Sequence, residues 1–152
     1  MTESKIEVIN ILKSYEKRRE NLLPILQEIN RQRNYLSEDS MREIAKYLSL
    51  STAEVYGVAT FYSFVDTERK GSHNIRICQT ISCDMKDKNL IIDTIEKKLR
   101  IKIGETTPDN KFTFQTTNCI GWCHKSPAMI IDDKVYTELT PTTTSAAIDE
   151  WL

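Results

Sequence analysis

Four cysteines in two close pairs are the residues of this sequence whose type and spacing indicate chemistry. Cys78 and Cys83 bound the segment CQTISC, and Cys119 and Cys123 bound the segment CIGWC. Thiolates are soft ligands, and four of them suit either a tetrahedral zinc ion or an iron-sulfur cluster. The pairs therefore predict a metal centre. The alternative that needs no metal is a set of four buried or incidental cysteines.

The spacing within each pair bears on which centre would form. Four residues lie between the first two cysteines and three between the second two, whereas zinc ribbons favour C-x2-C, although their range extends to four. A thioredoxin-like dithiol needs C-x-x-C, and a plant-type ferredoxin continues with a nearby C-x2-C; the sequence has neither. A 2Fe-2S cluster, held by one pair on each of two loops, accommodates these spacings. The spacing is therefore compatible with either a 2Fe-2S cluster or a zinc ion.

Three residues beside the second pair have two interpretations each. Gly121 predicts a close backbone approach to a sulfur atom, because glycine offers its N–H without a side chain in the way. Trp122 either screens a metal centre or meets a partner, or else it packs on the core of its own domain. Rieske centres need two histidines in place of two cysteines, so we predict that His124 is not a ligand.

Composition and charge limit the class of protein. The chain has 152 residues, of which 39% are hydrophobic and 28% charged, as in ordinary globular proteins. Lys plus Arg total 21 and Asp plus Glu total 22, so no nucleic-acid partner is expected. The sequence shows no signal-peptide pattern and no apolar run long enough for membrane insertion. We therefore predict a cytoplasmic protein, where paired cysteines indicate metal or redox chemistry rather than disulfides.

The first part of the chain predicts helices up to about residue 64. Ser4 with Glu7 and Ser51 with Glu54 fit capping boxes, and Ser37 can cap a further helix. Apolar residues follow at helical spacing in each segment. They are Leu22, Leu23, Leu26 and Ile29 in one helix and Met41, Ile44, Ala45 and Leu48 in the next.

The second part of the chain predicts alternating strands and helices after a polar connection at DTERKGSH. The strands are NIRI, KFTFQ, AMII and KVYTEL, a helix covers residues 87–99, and Asp132-Asp133 is a hairpin turn. Thr140-Pro141 fits the start of a closing helix. Each cysteine pair follows the end of a predicted strand, and loops at one edge of a sheet lie side by side. Two loops can thus deliver four thiols to one place.

These motifs resemble those of the thioredoxin-like 2Fe-2S ferredoxins, which form the small iron-sulfur subunit of the NADH-dehydrogenase module of respiratory complex I. Similar subunits occur in NAD-linked, often electron-bifurcating, hydrogenases and in NAD-dependent formate dehydrogenases. The resemblance covers nearly the whole chain. It runs through LLPILQEINRQRNYLSEDSMREIAKYLSLSTAEVYGVATFYSF, CQTISC, GETTPDNKFTFQ, CIGWC and SPAMIIDDKVYTELTP.

The resemblance implies a fold class, a domain division and a set of ligands. The fold class is α+β, with an N-terminal helical bundle at residues 1–70 and a thioredoxin-like α/β ferredoxin domain at residues 71–152. All four cysteines would hold one 2Fe-2S cluster, the first pair on one iron and the second pair on the other. YGVATFY, residues 56–62, resembles the helical signature of the family, and we predict packing rather than chemistry there.

The function implied is the transfer of single electrons. The sequence has no G-x-G-x-x-G after a strand and no P-loop lysine motif, so FMN and NAD(H) are expected on a partner. By the resemblance, that partner is a flavin- and NAD-binding iron-sulfur subunit, and a hydrogenase or formate dehydrogenase catalytic subunit is a further candidate. Lys86, Lys88 and Lys125 either raise the potential of the cluster or are simply solvated. The alternative function is a zinc-stapled, non-redox binding module.

Overall fold

The structure is a computed structural model that describes residues 3–152, with side chains from Glu7 onward. The capping box predicted at Ser4 lies outside the described side chains. The chain forms two compact units, Met1–Arg69 and Lys70–Leu152, and each has its own hydrophobic core. No helix within the described range is both long enough and apolar enough to span a membrane.

Four α-helices form the first unit. They are α1 at Glu3–Lys13, α2 at Leu22–Arg33, α3 at Glu38–Leu48 and α4 at Thr52–Phe61, and a 3-10 turn at Arg19–Asn21 precedes α2. Their apolar faces pack together because no single amphipathic helix can bury its own stripe. The side chains with no accessible surface are Ile25, Leu26, Ile29, Leu36, Ile44, Val55 and Ala59.

The N-caps predicted at Ser37 and Ser51 are confirmed, but at Ser51 the Glu54 carboxylate accepts from the hydroxyl at 3.4 Å rather than from the Ser51 N–H, so the predicted capping box is only half formed. Ser37 Oγ accepts a hydrogen bond from the Ser40 N–H at 3.2 Å, and Ser51 Oγ accepts one from the Glu54 N–H at 3.2 Å. The predicted face of α3 is buried in full. In α2 the prediction of Leu23 as a buried residue is wrong, and Ile25 is buried instead. Counted from Leu22, the i+3 position of a helical face is Ile25, whereas Leu23 is the next residue along the chain and points to another side. The buried residues of the two predicted faces are Leu22, Leu26 and Ile29 in α2 and Met41, Ile44, Ala45 and Leu48 in α3.

The prediction that residues 56–62 pack into a core is wrong for most of the segment. Within α4 the buried residues are Val55 and Ala59, which are four positions apart on one face. This narrow face of small side chains leaves the aromatic rings on the other sides of the helix and beyond its end. The exposed fractions are 54% for Tyr56, 79% for Phe61 and 40% for Tyr62.

The second unit contains a four-stranded mixed sheet in the order β2-β1-β3-β4. The strands are β1 at His73–Cys78, β2 at Phe112–Thr117, β3 at Met129–Ile131 and β4 at Lys134–Tyr136. β2 is parallel to β1, whereas β3 is antiparallel to both β1 and β4. A parallel pair needs a long crossover, and the segment between β1 and β2 supplies it.

Three helices accompany the sheet. They are the short α5 at Ile81–Asp84, α6 at Lys88–Leu99 and α7 at Pro141–Asp149, which contacts α6. The predicted order of strand, helix, three strands and helix is confirmed, and α5 is an addition to it. On α6, Ile91 and Ile95 are buried, but 52% of Leu90 is exposed.

The predicted turns of this unit are also confirmed. Asp132 adopts φ 51° between the antiparallel strands β3 and β4, as a tight hairpin requires. Thr140 Oγ1 accepts a hydrogen bond from the Thr143 N–H at 3.2 Å, and Pro141 occupies the first position of α7. The polar connection before β1 is tight rather than loose, because Gly71 is buried and its N–H donates to Thr113 Oγ1 at 2.7 Å.

Candidate metal centre

The parallel pairing of β1 and β2 brings the two cysteine segments to one edge of the sheet. In the register of the pair, Cys78 lies opposite Thr117, the last residue of β2. Parallel strands end at the same edge, so the chain leaves both strands side by side. The Gln79 N–H donates to the Thr117 carbonyl at 2.9 Å and continues the pairing one residue further. This register therefore brings the two cysteine segments next to each other, as the sequence predicted.

The first segment is a helical turn rather than the open loop that the sequence predicted. Thr80 stands at the N-cap of α5, and its carbonyl accepts hydrogen bonds from the N–H groups of Cys83 at 3.0 Å and Asp84 at 3.1 Å. Cys78, at the end of β1, and Cys83, inside α5, are each 1% exposed. This pair is therefore withdrawn from solvent.

The second segment is exposed and turns sharply. Cys119 and Cys123 are both accessible, and their sulfur atoms are 3.1 Å apart. Gly121 has φ 86°, which L side chains rarely adopt, and its N–H donates to Cys119 Sγ at 3.4 Å. The predicted N–H to sulfur contact is confirmed. The reason for glycine here is the positive φ rather than lack of space, because a Cβ at Gly121 would meet nothing within 4 Å.

Hydrogen bonds connect the two segments at Cys78. Burial raises the pKa of this thiol, but donors outweigh the burial and leave its pKa below the usual value. These donors are the Thr80 hydroxyl, whose oxygen is 3.0 Å from Cys78 Sγ, the N–H groups of Thr80 and Ile120, and the thiol of Cys83. Because Ile120 belongs to the second segment, one sulfur atom receives donors from both segments.

The other sulfur atoms also influence one another. The pKa of Cys83 is raised, mainly by burial and further by Cys78 and Cys123, against an opposing hydrogen bond from the Ala128 N–H. The pKa of Cys123 is raised, first by its hydrogen bond with Cys119 and then by desolvation from neighbouring atoms, while the Ser82 hydroxyl acts in the opposite direction. Neighbouring thiolates repel, so a bound cation would favour the deprotonation of the whole set.

Two buried hydroxyl groups flank the second segment and fit a bound centre. Thr117 is 3% exposed and Ser126 is 4% exposed, and neither hydroxyl oxygen has a hydrogen-bond partner among the described residues. Such orphaned donors are rare in buried positions, and an ion or ligand is one of their ordinary explanations. The four soft sulfur donors and these hydroxyl groups together are compatible with an iron-sulfur cluster.

The thiols are arranged as pairs rather than as a single-ion cage. Among the side chains of residues 7–152, no group of three or more His, Cys, Asp or Glu surrounds a common point suited to one metal ion. A binuclear cluster takes two protein ligands at each iron. Two pairs of cysteines therefore suit a binuclear cluster better than a single metal ion.

The residues around the pairs have distinct environments. Trp122 is 39% exposed and stacks on His124, with ring centroids 5.6 Å apart, so it does not pack in the core. Lys88 is not simply solvated, because it is 9% exposed and forms an ion pair with Asp84 at 2.8 Å. Lys86 and Lys125 are exposed, as their solvated interpretation predicts.

Sequence reasoning missed the groups that donate to the sulfur atoms. The hydroxyl groups of Thr80 and Ser82 lie between the two cysteines of CQTISC, and that position was the available signal. The backbone donors of Ile120 and Ala128 left no such signal, because every residue other than proline has an N–H.

Comparison with known proteins supports a metal centre in this chain. The family model described as thioredoxin-like 2Fe-2S ferredoxin matches residues 8–152. An NADH-quinone oxidoreductase subunit of Escherichia coli (strain K12) is 38% identical over 127 residues, which cover 84% of this chain and 76% of that protein. Its counterpart in Buchnera aphidicola subsp. Baizongia pistaciae (strain Bp) is 34% identical, over 91% of this chain and 81% of that protein.

A hydrogenase subunit and solved hydrogenase structures are similar as well. The NADP-reducing hydrogenase subunit HndA of Solidesulfovibrio fructosivorans is 30% identical over 89% of this chain and 79% of that protein. A crystal structure of an NAD+-reducing NiFe-hydrogenase in the air-oxidized state matches 86% of this chain with a TM-score of 0.74 and 21% identity. At 21% identity the likeness shows the fold alone, and this chain spans only 22% of the length of that hydrogenase chain.

Proposed function

Because the chain belongs to the thioredoxin-like 2Fe-2S ferredoxin family, we propose that Cys78, Cys83, Cys119 and Cys123 hold one 2Fe-2S cluster and that the protein is an electron-transfer subunit. The first pair would bind one iron and the second pair the other. Such a cluster supplies one-electron transfer when bound. No catalytic residue is proposed on this chain.

The observation that carries the proposal is the meeting of the two cysteine segments at the ends of β1 and β2. The Ile120 N–H of the second segment donates to the sulfur of Cys78 in the first, and Cys83 lies within electrostatic reach of Cys123. Four thiols from segments distant in the chain thus share one edge of the sheet. A structural role for isolated buried cysteines does not require this arrangement.

The chain's own residues would hold the centre and adjust its surroundings. The buried pair, Cys78 and Cys83, faces the protein, whereas Cys119 and Cys123 are accessible. Electron transfer depends on close approach, so we propose that a redox partner approaches from the side of the accessible pair. Donors to sulfur, among them the Gly121 N–H, stabilise negative charge on the thiolates.

The proposed partner is a flavin- and NAD-binding iron-sulfur subunit that carries FMN and NAD(H). The names of the similar proteins support it, because two are subunits of an NADH-quinone oxidoreductase and one of an NADP-reducing hydrogenase. A hydrogenase or formate dehydrogenase catalytic subunit is a further proposed neighbour. We place the assembly in the cytoplasm, because paired cysteines that bind a metal rather than form disulfides are typical of a reducing compartment.

Metal analysis and the visible spectrum test this function. We expect a brown-red protein with about two iron and two acid-labile sulfide per chain. We also expect that Cys83→Ser or Cys119→Ser alters or abolishes the visible spectrum, because each removes one thiolate ligand. A colourless protein with one zinc ion would favour the zinc-stapled binding module. A normal cluster in both serine variants would refute the four-thiolate site.

Isolation of the native assembly tests the partner. We expect a flavin- and NAD-binding subunit to co-purify with the protein from its own cells, and reduction of the cluster by NADH only when that subunit is present. Reduction of the isolated chain by NADH alone would contradict the division of labour between the two subunits.

A further inference from the structure

The hydroxyl group of Thr80 is directed to a cysteine sulfur rather than to the helix that Thr80 begins. Thr80 occupies the N-cap position of α5, where a threonine hydroxyl usually accepts a hydrogen bond from a backbone N–H of the first turn. No such side-chain bond forms here. Its Oγ1 instead lies 3.0 Å from Cys78 Sγ.

The first turn of α5 does not need the hydroxyl as a cap. The N–H groups of Cys83 and Asp84 both donate to the carbonyl oxygen of Thr80, at 3.0 and 3.1 Å. The backbone of Thr80 therefore satisfies two of the donors at the start of this helix. Its side chain is left available for the sulfur.

The direction of the hydrogen bond follows from the chemistry of a ligand. In the metal-free protein either the thiol or the hydroxyl can donate. A metal ligand is a thiolate and has no proton, so with a centre bound the Thr80 hydroxyl must be the donor. Cys78 is 1% exposed, and in such an environment a donor to a charged acceptor has a larger effect than it would in water.

Resting on the proposed function, we propose that Thr80 is a positioning residue whose hydroxyl donates to the Cys78 thiolate and raises the reduction potential of the cluster. Reduction adds one negative charge to a centre that is already anionic. A donor to a thiolate stabilises the more negative state more than the less negative one. Loss of the hydroxyl therefore favours the oxidised cluster.

Thr80→Val tests the proposal, because valine keeps the shape of threonine and removes the hydroxyl. Thr80→Ser keeps the donor and serves as the rescue variant. Thr144→Val is the control for the loss of a threonine hydroxyl in the second unit. Thr144 lies in α7, and its buried hydroxyl has no partner among the described residues. Thr80→Ala is a second variant without a hydroxyl.

The readouts are cluster content and reduction potential. Iron, sulfide and the visible spectrum are measured first, and the oxidised proteins are then titrated with dithionite and mediator dyes while electron paramagnetic resonance reports the reduced cluster. Dithionite supplies one electron per cluster, and no covalent bond forms or breaks. At a fixed potential, we expect Thr80→Val to lower the ratio of reduced to oxidised cluster by up to about tenfold, which corresponds to about 59 mV for one electron.

The outcomes separate this proposal from the one on which it rests. A lower potential in Thr80→Val, with Thr80→Ser and Thr144→Val near the unchanged protein, supports the role of the hydroxyl. An unchanged potential in Thr80→Val or Thr80→Ala overturns it and leaves the proposed function intact. Loss of the cluster from both of these variants also overturns it, because Thr80 would then be needed for assembly. Absence of a cluster from the unchanged protein overturns both proposals.

Discussion

At the scale of single residues, the two cysteine pairs differ in accessibility, although in the sequence both are simply close pairs of cysteines. Cys78 and Cys83 are each 1% exposed, because one ends a strand of the sheet and the other lies inside α5. Cys119 and Cys123 belong to an exposed turn. A pair held inside the protein and a pair at its surface give the proposed centre a protein side and a solvent side.

Alkylation of the metal-free protein tests this asymmetry. We expect iodoacetamide to modify Cys119 and Cys123 at least about tenfold faster than Cys78 and Cys83, since a thiol must be reached before it can react. Peptide mapping by mass spectrometry at successive times measures the four rates. Denatured protein is the control, and there the four rates should converge. Equal rates in the native protein would contradict the arrangement.

At the scale of elements, the start of the parallel pair is a point of close backbone approach. Gly71 lies just before β1, and a Cβ built on it would meet the backbone carbon of Phe112 at 2.8 Å and its nitrogen at 2.9 Å. Backbone atoms of β2 cannot yield without disturbing the register of the sheet. Since that register aligns Cys78 with Thr117, the glycine matters for the metal centre as well as for stability.

Gly71→Ala should therefore destabilise the protein. We expect a loss of about 1–3 kcal/mol in the free energy of unfolding of the second unit, the usual cost of an overpacked site. Chemical denaturation followed by circular dichroism measures it.

Gly57→Ala is the control for this substitution. Gly57 lies in α4, and a Cβ there would meet nothing within 4 Å. Alanine should therefore stabilise the first unit by about 0.5–1 kcal/mol, because glycine is unfavourable within a helix. Equal effects of the two substitutions would show that the contact with Phe112 is not tight.

At the scale of the whole molecule, the chain consists of two units with separate cores. The proposed ligands, the sheet and the donors to sulfur all belong to Lys70–Leu152. We propose that the units correspond to the helical bundle expected at residues 1–70 and the ferredoxin domain expected at residues 71–152. The helical unit would then serve assembly rather than cluster binding.

A shortened chain tests this division. We expect the polypeptide 70–152 to fold and to show the same visible spectrum as the full chain, because its core and all four cysteines are retained. Absorption and circular dichroism, with iron analysis, compare the two proteins. A second truncation to 79–152, which removes β1 with Cys78, should show no normal cluster. If 70–152 also loses its cluster, the units are not independent.

The sequence by itself determined the local features of this protein. Helical spacing and hydroxyl caps predicted α3 and its buried face. Alternation predicted β1 and β2, and the turn at Asp132-Asp133 indicated β3 and β4 on either side of it. Asp132 and Thr140-Pro141 marked a turn and a helix start. These features depend on residues a few positions apart, and the residue types alone indicate their preference for helix, strand or turn. The spacing of the cysteines indicated a metal, but on chemistry alone it left zinc open.

Only the tertiary structure decided how the distant parts meet. The parallel register of β1 and β2 places Cys78 opposite Thr117, and it brings the Ile120 N–H to a sulfur atom far away in the sequence. The burial of one pair and the exposure of the aromatic rings near the end of α4 likewise follow from packing. Each depends on which surfaces are covered by residues remote in the chain, and local propensity carries no information about that.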